Sequence, residues 1–174
     1  PWHRHEFPTT ALPKRPHRPP IEQGGGIGPW GQDCPEEEGP DLDFGAPPLL
    51  ARNSEGRELL YVGQKSGAVS ALDPSTGERV WDQKFGRGGY LGGVHWGLAA
   101  DIERGLLYVP ISDFPAGLEL SGVPTPGLYA LSLDDGSLEW FAEKDFSEEN
   151  REKLGFWPGL SAGIVATDLS LIHI

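Results

Sequence analysis

The chain has 174 residues, enough for one domain, with a formal net charge of −12, no Met and a single cysteine, Cys34. That acidity excludes a basic surface for nucleic acid or anionic membrane, the absence of any run of 18 apolar residues excludes a helical membrane span, and one cysteine excludes an internal disulfide. Gly (25) and Pro (17) make up about a quarter of the residues, and with six Trp they predict a packed β protein of short strands and many turns.

Residues 1–23, PWHRHEFPTTALPKRPHRPPIEQ, are basic and Pro-rich. Proline removes backbone donors and fixes φ, so no continuous element is expected before about Gly24. His3, His5 and His17 lie there with no Cys nearby and no ligand spacing that would support them, which favours an irregular arm over a metal site. Residues 24–31, GGGIGPWG, form a Gly-rich loop. A phosphate cradle would need the Lys-Ser/Thr of a P-loop and a preceding strand, and both are missing. The acidic run 36–43, EEEGPDLD, reads as a solvated loop. Residues 1–31 are thus set apart from 32–174.

A short strand is expected from Leu49 and Leu50, a clear one over 59–63, and a hairpin turn over 64–67. Residues 67–81, GAVSALDPSTGERVW, read as a strand, a tight turn and the start of a second strand. Val69 and Ala71 alternate as strand residues do. Asp73 and Thr76 carry short oxygen side chains that can bond turn N–H groups, and Gly77 allows the reversal. Trp81 brings a large apolar plate with one donor. The Gly-rich stretch 86–97 then leads to a strand over 97–101, a turn over 103–105 and a strand over 106–110. Residues 113–126 read as an insertion, 128–133 as a strand, and the charged 143–153 as one or two helical turns. Residues 155–168 approach a further repeat, and the closing LSLIHI continues no pattern.

The stretch 67–81 returns at 127–140, GLYALSLDDGSLEW. Aligned on Trp81 and Trp140, Ala71 falls on Ala130, Leu72 on Leu131, Asp73 on Ser132, Thr76 on Asp135 and Gly77 on Gly136, all at an offset of 59 residues. Two unrelated hairpins would not agree at Ala, Gly and Trp together.

The pattern A-x-D-x-x-T-G-x-x-x-W resembles the tryptophan-docking motif of quinoprotein alcohol dehydrogenases, eight-bladed propellers that hold pyrroloquinoline quinone (PQQ). ALDPSTGERVW matches at every fixed position, whereas ALSLDDGSLEW departs at Ser132 and Asp135. Four further stretches, QDCPEEEGPDLDFGAPPLL, GQKSGAVSALDPSTGE, GRGGYLGGVHWGLAAD and LYVPISD, resemble the polyvinyl alcohol dehydrogenase branch. The resemblance implies an all-β fold, a partial propeller of about two to three four-stranded blades over 32–174. Two repeats do not close a propeller, so a fragment with open sheet edges, prone to aggregation, is expected.

The same resemblance implies PQQ and calcium as cofactors, an alcohol as substrate, an external electron acceptor such as a cytochrome c, and a periplasmic setting. Asp43, in LDFGA, matches the family's general base beside calcium, with Asp41 as its near competitor. A carboxylate can take the hydroxyl proton as hydride leaves carbon. Lys65, in QKSG, stands where the family places a cation against the quinone oxygens. Its bland alternative is an exposed hairpin lysine. His95 and Trp96, in GGVHWG, stand where relatives contact the quinone with an Asn or Glu and then Trp. His95 departs from that pattern, and Trp96 could serve blade packing instead. Arg87, in GRGG, is expected to border the site, its bland alternative being a solvated loop arginine. The family's other calcium ligands, its vicinal disulfide and the CxxCH that attaches haem c in some relatives have no match here, which leaves Cys34 as a free thiol or half of a disulfide. The competing reading is a non-catalytic propeller scaffold, as in the lipoprotein of the outer-membrane barrel assembly machinery. A glycan-binding or hydrolytic propeller lacks a carboxylate pair placed by any motif.

Overall fold

The computed structural model describes residues 42–89, 92–113, 123–144, 163–167 and 171–173, all within the second of the two units into which the chain divides, Gly39–Ile174. The expectations for the N-terminal arm, the Gly-rich loop 24–31, Cys34 and Asp41 fall outside the described residues; of the helical turns expected over 143–153 only 143 and 144 are described, and Glu143 ends a strand instead.

The described residues are all-β. Strands β1 (Leu49–Arg52), β2 (Glu58–Gly63), β3 (Ala68–Leu72) and β4 (Arg79–Lys84) form one antiparallel sheet in sequence order. Strands β5 (Ala99–Asp101), β6 (Leu106–Ile111), β7 (Gly127–Ser132) and β8 (Leu138–Glu143) form a second sheet of the same order. β9 (Ile164–Ala166) and β10 (Leu171–His173) make a separate antiparallel pair. The segment LSLIHI therefore does carry a strand. It had no repeat signal because three residues paired only to their neighbour need no motif.

The 59-residue repeat holds rung by rung. In the first sheet Ala71 lies opposite Tyr61 on one side and Trp81 on the other. In the second, Ala130 lies opposite Tyr108 and Trp140. Both β3/β4 and β7/β8 slip register at the same place, between Ala71 and Leu72 and between Ala130 and Leu131. The Tyr–Trp rings sit 5.9 Å apart at 47° in one sheet and 5.8 Å apart at 47° in the other. Between Tyr61 and Tyr108 the offset is 47 rather than 59, so the β6–β7 connection is 12 residues longer than the β2–β3 hairpin. That is the insertion expected at 113–126.

The turns repeat as well, although their residues differ. Asp73 Oδ1 accepts the Ser75 N–H at 2.8 Å, and Ser132 Oγ accepts the Asp134 N–H at 3.2 Å. Thr76 Oγ1 accepts the Glu78 N–H at 3.2 Å, and Asp135 Oδ1 accepts the Ser137 N–H at 3.0 Å. Each departure from the motif thus keeps the one acceptor its turn uses. A hydrogen bond from Arg57, then the Ser75 N–H, hold the Asp73 carboxyl below the usual carboxylate range.

The docking that gives the motif its name is visible between the sheets. Trp81, 8% exposed, donates its indole N–H to the Leu133 carbonyl of the next sheet at 3.3 Å. Tyr61 donates its hydroxyl to the same carbonyl at 2.9 Å. The Trp81 ring lies on Gly136, where an added Cβ would come within 2.6 Å of Cε3. Gly136 also has φ +71°, so this position excludes a side chain on two counts. Burial pushes the Tyr61 hydroxyl up to about 12, with the Asp134 charge adding to it.

One core cluster joins the sheets, with Leu59, Tyr61, Val69, Ala71 and Trp81 from the first and Leu107, Val109, Ile111, Tyr129 and Leu131 from the second. A second cluster takes Tyr108 and Ala130 from the opposite face of the second sheet and packs them on Ile164 of β9. This explains why β2 alternates between buried and partly or fully exposed residues while β6 is buried almost throughout. β6 is covered on both faces, so its sequence LLYVPI runs apolar without alternation. The Tyr–Ala–Trp face of each sheet looks toward the next one, and the first strands β1, β5 and β9 neighbour one another in turn. Among the described residues the architecture is two four-stranded propeller blades followed by a strand pair, with no closed barrel.

Candidate active site

Antiparallel order puts four segments at one end of these blades: residues 42–48 entering β1, the β2–β3 hairpin, the β4–β5 connection, and the start of the β6–β7 connection. The tryptophan-motif turns lie at the opposite end. All the expected site residues fall at the first end.

Lys65 sits at the tip of the β2–β3 hairpin, yet it is 8% exposed. The exposed-lysine alternative fails there. Its Nζ lies 3.0 Å from Asp43 Oδ1, and the Asp43 side chain is 64% exposed. The ion pair therefore has a buried cation and a solvent-facing carboxylate. Backbone bonds fix the pair: the Lys65 N–H donates to the Asp43 carbonyl at 3.0 Å, and the Lys65 carbonyl accepts the Gly89 N–H at 3.0 Å. A buried charge in this position is costly unless it is paired and hydrogen-bonded, and an isolated hairpin lysine would swing to water.

The Gly-rich connection 86–97 closes over that hairpin. A Cβ at Gly88 would lie 2.5 Å from the Ser66 carbonyl oxygen, and one at Gly93 would lie 2.3 Å from the Lys65 carbonyl oxygen. Glycine lets backbone meet backbone at both contacts. The Val94 N–H donates to the Gln64 carbonyl at 3.1 Å, and the Val94 side chain fills the space left by Gly63. His95 and Trp96 follow, their rings 4.4 Å apart at 54°. Trp96 is 43% exposed. Around Gly45 the pieces converge: a Cβ there would be 3.5 Å from the His95 carbonyl oxygen, 3.6 Å from Asp43 Oδ1 and 3.6 Å from Lys65 Cε. Arg87 is half-buried beside this loop.

Asp43, Lys65 and the His95 backbone are thus brought together, with Trp96 adjacent in the chain. The set offers a buried cation, an accessible carboxylate and an exposed aromatic plate. A planar anion would meet one cation and one aromatic face here. The set does not by itself make a calcium site: among the described residues no group of three or more His, Cys, Asp or Glu side chains gathers to hold a metal. Sequence reasoning passed over Asp113, which is fully buried at the end of β6. Its signal was its place two residues after the apolar run 106–111, which carries a carboxylate inward.

The fold and this end-of-blade cluster define the class as tryptophan-docked β-propeller blades with a polar site at one end. Within that class, the chain is similar to the polyvinylalcohol dehydrogenase of a Pseudomonas sp., at 44% identity over 113 residues, 64% of this chain and 17% of the relative. It is also similar to the polyvinylalcohol dehydrogenase of Sphingopyxis sp. (strain 113P3), at 39% identity over 109 residues, 62% of this chain and 16% of the relative. The matched segments thus span about a sixth of either relative's length. No family model matches the chain. This is the branch that the four sequence stretches resemble.

Proposed function

We propose that the protein of which these blades form part oxidises an alcohol, secondary or polymeric as in its polyvinylalcohol dehydrogenase relatives, in the periplasm, and passes the electrons to an external acceptor such as a cytochrome c. The observation that carries this reading is the Asp43–Lys65 pair, a buried ammonium 3.0 Å from an exposed carboxylate. A scaffold has no use for a lysine buried at a hairpin tip.

PQQ, when bound, supplies the two-electron acceptor that alcohol oxidation requires. Lys65 would hold it by presenting a fixed positive charge to its oxygens, an interaction that strengthens as charge builds there. Trp96 would lie against its plane. Asp43, solvent-facing, is the group that can accept the proton from the substrate hydroxyl, a role that demands hydrogen-bond reach to the incoming oxygen. Lys65 orients Asp43 by the 3.0 Å contact and by the N–H it donates to the Asp43 carbonyl. Calcium beside Asp43 would draw its remaining oxygens from outside the described residues.

Titrating the intact protein with PQQ, followed by tryptophan fluorescence and thermal melting, tests the reading. Saturable quenching with a raised melting temperature is expected. No quenching and no stabilisation would point to the scaffold instead.

A further inference from the structure

We infer that Asp113 is a positioning residue: its buried carboxylate clamps residues 86–89 onto the β2–β3 hairpin and so sets where Lys65 stands. Asp113 has no exposed surface and stands two residues beyond the end of β6. Its two oxygens are spent on backbone donors. Oδ1 accepts the Gly88 N–H at 2.7 Å and the Arg87 N–H at 3.0 Å, and Oδ2 accepts the Arg87 N–H at 2.9 Å and the Thr125 N–H at 2.6 Å. None of these three donors lies in a strand, so the carboxylate replaces a sheet ladder where the chain has none.

The next links lead to the site. Gly89, one residue beyond Gly88, donates its N–H to the Lys65 carbonyl at 3.0 Å. Ser112, one residue before Asp113, donates its N–H to the Gly93 carbonyl at 3.1 Å. Asp113 and the Ser112 backbone thus tie the two sides of the loop that covers Lys65, Asp113 at Gly88 and Ser112 at Gly93. Gly86 has no room for a Cβ, which would lie 2.9 Å from Asp113 Oδ2, so the loop is shaped around the carboxylate. Asp113 also has φ +37°, a left-handed backbone that a non-Gly residue keeps only where the surroundings determine it. An Asn here would turn its NH₂ toward N–H donors whichever way it flipped, because both carboxylate oxygens accept. From Asp113 the route to Lys65 runs through the loop, by way of Gly88 and Gly89.

The consequence for cofactor affinity rests on the reading of Lys65 given above, whereas the clamp itself does not. Hydrogen exchange on the unaltered intact protein tests the clamp first. The Gly88 and Thr125 amides are expected to exchange at least about 100-fold more slowly than open-loop amides. Open-loop rates at both would overturn the inference. A double-mutant cycle on PQQ affinity then tests the route through Lys65. Asp113→Asn is expected to weaken PQQ binding about tenfold beside Lys65 and less than about twofold in the Lys65→Ala background, while speeding exchange at Gly89. Additive losses, or unchanged exchange at Gly89, would overturn it. Lys65→Ala binding PQQ like the parent would overturn the cofactor reading, and the exchange results alone would then decide the clamp.

Discussion

Substituting Gly136 by Ala tests the docking of one blade on the next. The added Cβ would stand 2.6 Å from Cε3, 2.8 Å from Cζ3 and 2.9 Å from Cδ2 of Trp81. Real Cβ contacts do not come that close, so the indole must withdraw, and its bond to the Leu133 carbonyl at 3.3 Å would lengthen with it. Overpacking of this kind costs about 1–3 kcal/mol, and a left-handed backbone at an alanine costs about 1–2 kcal/mol more. Gly56 provides the control: its φ is +78° and nothing lies within 4 Å of the Cβ position. Gly56→Ala should therefore show the backbone cost alone. Denaturant unfolding followed by tryptophan fluorescence is expected to place Gly136→Ala below Gly56→Ala by about 1–3 kcal/mol. Equal losses at the two sites would refute the claim that Trp81 seats on Gly136.

Other tests follow from the same contacts. Tyr61 ionises near 10 in an unfolded chain but only near about 12 when folded, because burial disfavours the phenolate. Stability from this group is therefore complete below pH 10 and is lost as pH rises from 10 to 12, by roughly 2–3 kcal/mol. Tyr61→Phe should remove that part of the alkaline loss, and parallel curves for parent and variant would count against it. The double substitution Ser132→Asp with Asp135→Thr restores the full motif in the second turn. Since Ser132 and Asp135 already supply the needed acceptors, stability should change by less than about 0.5 kcal/mol, as read by the denaturation midpoint. A gain above 1 kcal/mol would show that the departures are defects.

The fold was legible because its signals are local. The turn at Asp73–Gly77 and the Trp81 that follows obey a fixed spacing, and the spacing survives at Ser132–Gly136 and Trp140. The added length of the β6–β7 connection could be read from the change of offset between Tyr61/Tyr108 and Ala71/Ala130. Element ends were less legible: the strand expected over 97–101 begins at Ala99, and the one over 106–110 runs to Ile111. The burial of Lys65 was not legible at all. A lysine in QKSG looks solvated, and only the loop 86–97 folding back over the hairpin removes it from water. That contact depends on Gly88 and Gly93 meeting the backbone at Lys65 and Ser66, a tertiary event with no periodic trace. Asp113 escaped for a similar reason, since its partners Arg87, Gly88 and Thr125 are distant or across the insertion. Asp43 could be singled out only by resemblance, and its exposure is ordinary for a loop carboxylate. What distinguishes it is the buried cation behind it.

In the proposed reaction Asp43 takes the substrate proton while Lys65 stands behind it. Dye-linked alcohol oxidation by Asp43→Asn, measured in the intact protein at saturating PQQ and calcium, tests this most directly. The account predicts turnover lowered by about 100-fold or more, with PQQ affinity and the denaturation midpoint close to those of the parent. Undiminished turnover in that variant would contradict it.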